Sequence, residues 1–219
     1  YCRSLHGKRT SMPGSDGIRF EHVLRFLSAD ESSVHLLHSF VLLLLRGELP
    51  AEATPYLFGG RLVALPKTND PGHYRPLGAG CVFRRIAFGF AKKVRSEKIN
   101  DKLNPLQLGV DVFDGPAIFA GTVRAALQEH TDWVALKLDF RNAFNEVSRG
   151  AFLKFVATHL PALLLGCYAA YGSPTYLSAF TASGAVLRFL SQRGATQGCN
   201  LGSLCFAAAP QPRIAATRS

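Results

Sequence analysis

Asp139 closes a short apolar run, LKLDF, and Phe144 follows five residues later in LKLDFRNAFN. A carboxylate at a strand end, just before a tight turn, can hold a hard divalent cation beside a phosphate. The Phe140 carbonyl and water can complete such a ligand set. An aromatic at this offset comes back to the same pocket once the chain turns. The plainer alternatives are a capping role for Asp139 in the next turn and a core role for Phe144. Lys67 and Arg75 flank the polar loop TNDPGH. Cations on the two arms of a hairpin can converge on a phosphate chain, Arg as a planar fork and Lys as a point charge. A third segment, RGATQGCNLGSLCF, carries Gln197 and Gly198, an amide beside a flexible backbone. Taken alone it is an ordinary turn leading into a helix.

These residues need elements to position them. Trp133 to Phe140 is a short, largely apolar run with Asp139 near its end and predicts a strand. FGGRLVALPK predicts a strand from Arg61 to Leu65, ended by Pro66, and YRPL predicts a second extended piece. Val82, Ile86, Phe90 and Val94 recur every four residues, so Cys81 to about Asn100 predicts a helix with Arg84 and Arg85 at the edge of its apolar stripe. Upstream, residues Tyr1 to Ser11 read as a polar lead-in. MPGSDGIRFEHVLRFL then turns into an amphipathic helix, and a second helix follows from about Glu31 to Arg46 with Asp30 as its N-cap. Further helices are predicted over about Pro116 to Glu129, from Ser148 to His159, and to Tyr171. TYLSAF and VLRFLS predict an antiparallel pair.

The composition, 47% hydrophobic and 18% charged over 219 residues, excludes a disordered chain. The formal charge is +10, and ten Lys and Arg against three acids lie between Arg61 and Lys102. A polyanionic partner and a merely solvated basic face both fit that excess. Five scattered cysteines match neither a disulfide framework nor a zinc spacing and point to a reduced, intracellular protein, nuclear or cytoplasmic. The apolar run Phe40 to Leu45 is far shorter than the ~20 residues a bilayer span needs, so no membrane partner is expected.

LKLDFRNAFNEVSR resembles the A motif of the reverse transcriptases of mobile elements. RGATQGCNLGSLCF resembles their B motif, with Cys199 and Asn200 where Asp and Pro are common. LVALPK and YRPLG resemble the fingers hairpin, and SMPGSDGIRFEHV the segment upstream of it in non-LTR elements. The chain is therefore similar to the fingers and the first part of the palm of a retroelement reverse transcriptase. The resemblance implies an α+β fold. A fingers region would span 1–130, and 131–219 would form a partial palm of antiparallel strands with helices on one face. It implies Asp139 as a catalytic ligand of Mg2+ or Mn2+. Phe144 would be a steric gate that excludes a 2′-hydroxyl, and Lys67, Arg75, Phe140, Gln197 and Gly198 would be contacts to the incoming dNTP. Arg84 and Arg85 would bind template backbone; solvent-facing charge on a helix is the competing reading. The implied partners are an RNA template, a DNA primer and dNTP, with oligomeric state open.

Such enzymes add further carboxylates from a later aromatic-x-Asp-Asp hairpin, and this sequence holds no Asp-Asp pair. Two divalent ions about 4 Å apart need more than one carboxylate. The chain by itself is thus expected not to polymerise, to leave a sheet edge and apolar helix faces uncovered, and to be poorly soluble. Two alternatives stand beside the enzyme: a catalytically dead remnant that at most binds nucleic acid, and a generic α+β domain with a basic face.

Overall fold

A computed structural model describes residues 11–68 and 72–217. Residues 1–10 of the expected lead-in, and 69–71 of the loop between Lys67 and Arg75, lie outside the described residues.

The chain is α+β. Helices α1 (Phe20–Ala29) and α2 (Ser32–Arg46) come first, followed by a short α3 (Thr54–Phe58). The N-cap of α2 is Glu31, one residue after the expected Asp30, whose carboxylate accepts the Ser32 amide at 3.3 Å; Gly47 ends the helix in a left-handed conformation. Strands β1 (Gly60–Pro66) and β2 (Tyr74–Gly80) pair in antiparallel register, Gly60 with Gly80 and Pro66 with Tyr74. The stripe predicted after Cys81 becomes two helices, α4 (Val82–Val94) and α5 (Ser96–Leu103), because Arg95 leaves helical geometry. Val82 and Ile86 are buried, Phe90 is half-buried and Val94 is exposed, so the stripe faces the core only through its first turns.

α6 (Gly115–Glu129) and a one-turn α7 (Ala143–Glu146) bracket the LKLDF run. α8 (Arg149–His159) starts under a Ser148 cap, whose Oγ accepts the Ala151 amide. A 3-10 turn and α9 (Leu164–Tyr171) lead to the antiparallel pair β3 (Thr175–Phe180) and β4 (Val186–Ser191). α10 (Gly202–Ala208) and α11 (Gln211–Ala216) follow, broken at Pro210.

Two expectations are corrected. The sheet is not wholly antiparallel: its order is β2-β1-β3-β4, and β1 runs parallel to β3 where Gly60 meets Leu177. Residues 133–140 form no strand. Val134, Leu136, Leu138 and Phe140 are 90, 82, 71 and 62% exposed. An apolar run alone does not make a strand; a ladder needs a neighbour to take its amides and cover its apolar face, and no described strand pairs with this run. α6 is similarly bare, with Ile118 and Phe119 exposed.

The core lies among α1, α2, α4, α8, α9 and α10, around Phe20, Leu44, Phe58, Phe88, Phe152 and Leu204. Full burial of such side chains contributes about 1.5–3 kcal/mol each. This core holds one end of the β1–β2 hairpin and the start of α10, the two supports of the candidate site.

Candidate functional site

The cavity that gathers the sequence motifs has a volume of about 630 Å3. Lys67 and Arg75 line it from the β1–β2 hairpin, Asp139, Phe140 and Phe144 from the LKLDFRNAFN run, and Gln197 from the turn before α10. These three segments are far apart in sequence, and only the fold brings them together. Sequence reasoning missed His73, Tyr74, Arg141 and Asn142, which also line the cavity. The signal for them was present: His73 and Tyr74 immediately precede Arg75, and Arg141 and Asn142 sit inside the run already singled out. Asn142 adopts φ 51°, the left-handed region that Asn tolerates, and this turns the chain from the LKLDF run into α7.

The hairpin arm is well tied. The Lys67 amide donates to the His73 carbonyl at 3.0 Å, and Leu65 faces Arg75 across the ladder. Both cations therefore sit at the hairpin's far end, beside the cavity. Phe144 is also fixed. Its ring stacks on Phe206 at 5.4 Å, Phe140 meets the same Phe206 edge-on at 6.3 Å, and the Ala195 amide donates to the Phe144 carbonyl at 2.7 Å. A ring held this way is a rigid wall.

The Gln197 turn is docked onto the hairpin. The Gly78 amide of β2 donates to the Gln197 carbonyl at 2.8 Å. Gly198 has φ 104°, and a Cβ there would come within 2.9 Å of the Gly78 carbonyl oxygen, so only glycine fits. Asn200 Nδ2 donates to the Arg85 carbonyl at 2.6 Å, which ties the same turn to α4.

Arg84 lies behind this turn and is only 3% exposed. Its guanidinium donates to the Phe58 carbonyl, to the Tyr171 hydroxyl at 3.1 Å and to Cys199 Sγ at 3.5 Å. Phe58, Phe88 and Tyr171 surround it, with ring centroids 5.9, 5.4 and 5.4 Å away. Burial pulls the Arg84 pKa down, but Cys199 and Tyr171 push it up and the net shift is upward. This burial removes Arg84 from any nucleic-acid surface, contrary to the expectation from its place beside the apolar stripe. Arg85 is half-buried, donates to the Met12 carbonyl at 2.8 Å and stacks over Phe20 at 4.6 Å.

Asp139 is the carboxylate among the cavity's lining residues. Among the described residues, no three His, Cys, Asp or Glu side chains come together as a metal cage. One carboxylate with phosphate oxygens and water fits a single Mg2+, which normally keeps several waters. The described donor set does not extend to a second ion.

No family model matches the chain. It is similar to the retrotransposable element SLACS 132 kDa protein of Trypanosoma brucei gambiense, 29% identical over 207 residues. The chain is related to a retroelement protein. The match covers 90% of this chain and 16% of that relative, so the chain spans a small part of its length. No helix among the described residues is long and apolar enough to cross a membrane.

Proposed function

We propose that the cavity binds a deoxynucleoside triphosphate with one divalent cation, as the nucleotide site of a reverse transcriptase copying an RNA template onto a DNA primer. The observation that carries this reading is the convergence of Lys67, Arg75, Asp139, Phe144 and Gln197 on one cavity. Residues 1–130 would act as fingers and 131–219 as the first part of the palm. Similarity to a retrotransposable element protein supports a retroelement-related function.

In this reading Lys67 and Arg75 take the triphosphate, Arg75 through paired N–H bonds and Lys67 as a compact charge. Asp139 would hold Mg2+ or Mn2+, and the bound ion would offset phosphate charge and favour the attacking hydroxyl as alkoxide. Phe144, pinned by Phe206, would reject a 2′-hydroxyl sterically, which is selection by exclusion. Gln197 would face the base pair being formed and Phe140 would flank the nucleotide. Gly198, which does not line the cavity, would serve from behind by letting the turn pack on β2.

The test is equilibrium binding of a fluorescent dNTP and its ribonucleotide counterpart in Mg2+. Phe144→Ala is expected to bind the ribonucleotide about tenfold more tightly while leaving dNTP affinity nearly unchanged. Equal binding of both nucleotides by the unaltered chain would remove the gate from the account. Salt-dependent RNA binding with no dNTP binding would favour a nucleic-acid-binding remnant.

A further inference from the structure

Behind the nucleotide cavity, Cys199 and Arg84 share a second, tight void with Gly78, Gly80, Thr196 and Gly198. Four features make it more than a packing detail. Arg84 is buried, and among the described residues its guanidinium bonds to a carbonyl, a hydroxyl and a thiol, with no carboxylate. Its Nε, also buried, has no hydrogen-bond partner among the described residues. Cys199 is half-buried, whereas Cys81, Cys167 and Cys205 are buried. The void is too narrow for a water molecule.

We propose that Cys199 is a modification site, oxidised by hydrogen peroxide to a sulfenic acid that Arg84 holds, and that this modification moves Gln197 out of the nucleotide cavity. The Cys199 sulfur attacks one peroxide oxygen, forming an S–O bond as the O–O bond breaks. The departing hydroxide takes up the thiol proton and leaves as water. Sulfur loses two electrons and the peroxide gains them. A guanidinium donating to the sulfur stabilises negative charge on it through this step, and the unpartnered Nε is a waiting donor for the new oxygen.

The consequence follows from space. The turn has little slack: the Cys199 amide donates to the Thr196 carbonyl at 2.9 Å, and the Gly202 amide to the Cys199 carbonyl at 2.9 Å. Gly198 already touches Gly78. As it stands the void beside Arg84 is too small for an extra oxygen on Sγ, so the turn must shift before that oxygen can reach Nε, and Gln197 is two residues from Cys199. The effect on nucleotide affinity rests on the function proposed above; the oxidation itself does not.

The experiment treats the reduced full chain with hydrogen peroxide, traps sulfenic acid with dimedone, and quantifies each cysteine by peptide mass spectrometry, native and in urea. Native Cys199 is expected to label about tenfold faster than Cys199 in the unfolded chain, and faster than Cys81, Cys167 and Cys205. A half-buried thiol without activation labels more slowly native than unfolded, and that result overturns the proposal. In parallel, peroxide should weaken dNTP binding of the natural chain about tenfold and leave Cys199→Ser unaffected. Equal weakening in both overturns the link to Gln197. If the reduced chain binds no dNTP, the nucleotide reading fails and the labelling ratio alone decides the oxidation site.

Discussion

The turn from Thr196 to Asn200 and the run from Trp133 to Phe140 both reach the candidate cavity, yet the fold treats them differently. The turn is clamped by β2 through Gly78, by α4 through the Arg85 carbonyl, and from behind by buried Arg84. The run has no ladder partner among the described residues, and its apolar side chains face solvent. Gln197 is therefore placed by packing, whereas Asp139 is placed by the chain on its C-terminal side, through Asn142 and the Phe140–Phe206–Phe144 cluster. Positions in one candidate site can be preorganised to very different degrees, and preorganisation rather than residue type sets how much each contributes to binding.

The largest expected break in this contrast is Arg84→Ala. It empties an aromatic box and strips the Phe58 carbonyl and the Tyr171 hydroxyl of a donor, a loss of about 3 kcal/mol or more. Thermal unfolding should fall by roughly 6–12 °C. A shift under 2 °C would show that the turn is not held from behind. Gly198→Ala comes next, at about 1–3 kcal/mol, because a Cβ at positive φ also meets the Gly78 oxygen. Chemical denaturation measures that loss.

Alkaline pH probes the same clamp more gently. Burial, reinforced by Cys199, raises the Tyr171 pKa well above its ordinary value. A hydrogen bond with Cys167, then burial, raises that of Cys205, and burial raises that of Cys81. Each group keeps its proton longer folded than unfolded, so the unfolded chain releases protons first. Stability is therefore full below the ordinary thiol value of 9.0 and falls as pH rises past it. Melting curves between pH 7 and 10.5 should show the decline beginning near that value. The smallest effect belongs to the other region: Leu136→Glu, on an exposed side chain, should change stability by no more than about 0.5 kcal/mol. A larger loss would mean that the run is packed in solution.

The same contrast explains what could be read in advance. Helices were legible where an apolar stripe met a clear stop, as in α2 at Gly47 and α8 under Ser148. The break at Arg95 was not, because the residues that follow are as helix-compatible as those before it. The apolar run over 133–140 was real but came without a strand partner, and partners are non-local. The β1–β3 contact was hidden for the same reason, since it joins Gly60 to Leu177. In the site, Lys67, Arg75, Asp139, Phe144 and Gln197 stood out because the segments that carry them resemble the motifs of reverse transcriptases; their residue types and spacing alone left plainer readings open. Arg84 was misplaced because its helix position says only that it borders the stripe. The box that buries it comes from Phe58 and Tyr171, which local periodicity does not reveal.

The central claim is that the hairpin cations and Asp139 act on one ligand. A double-mutant cycle on dNTP affinity in Mg2+, with Lys67→Ala, Asp139→Asn and the pair, tests it most directly. Convergence on one triphosphate and its cation predicts that each single change weakens binding about tenfold and that the pair is non-additive by at least about 0.5 kcal/mol. Additive losses, or no dNTP binding in Mg2+ at all, would contradict it.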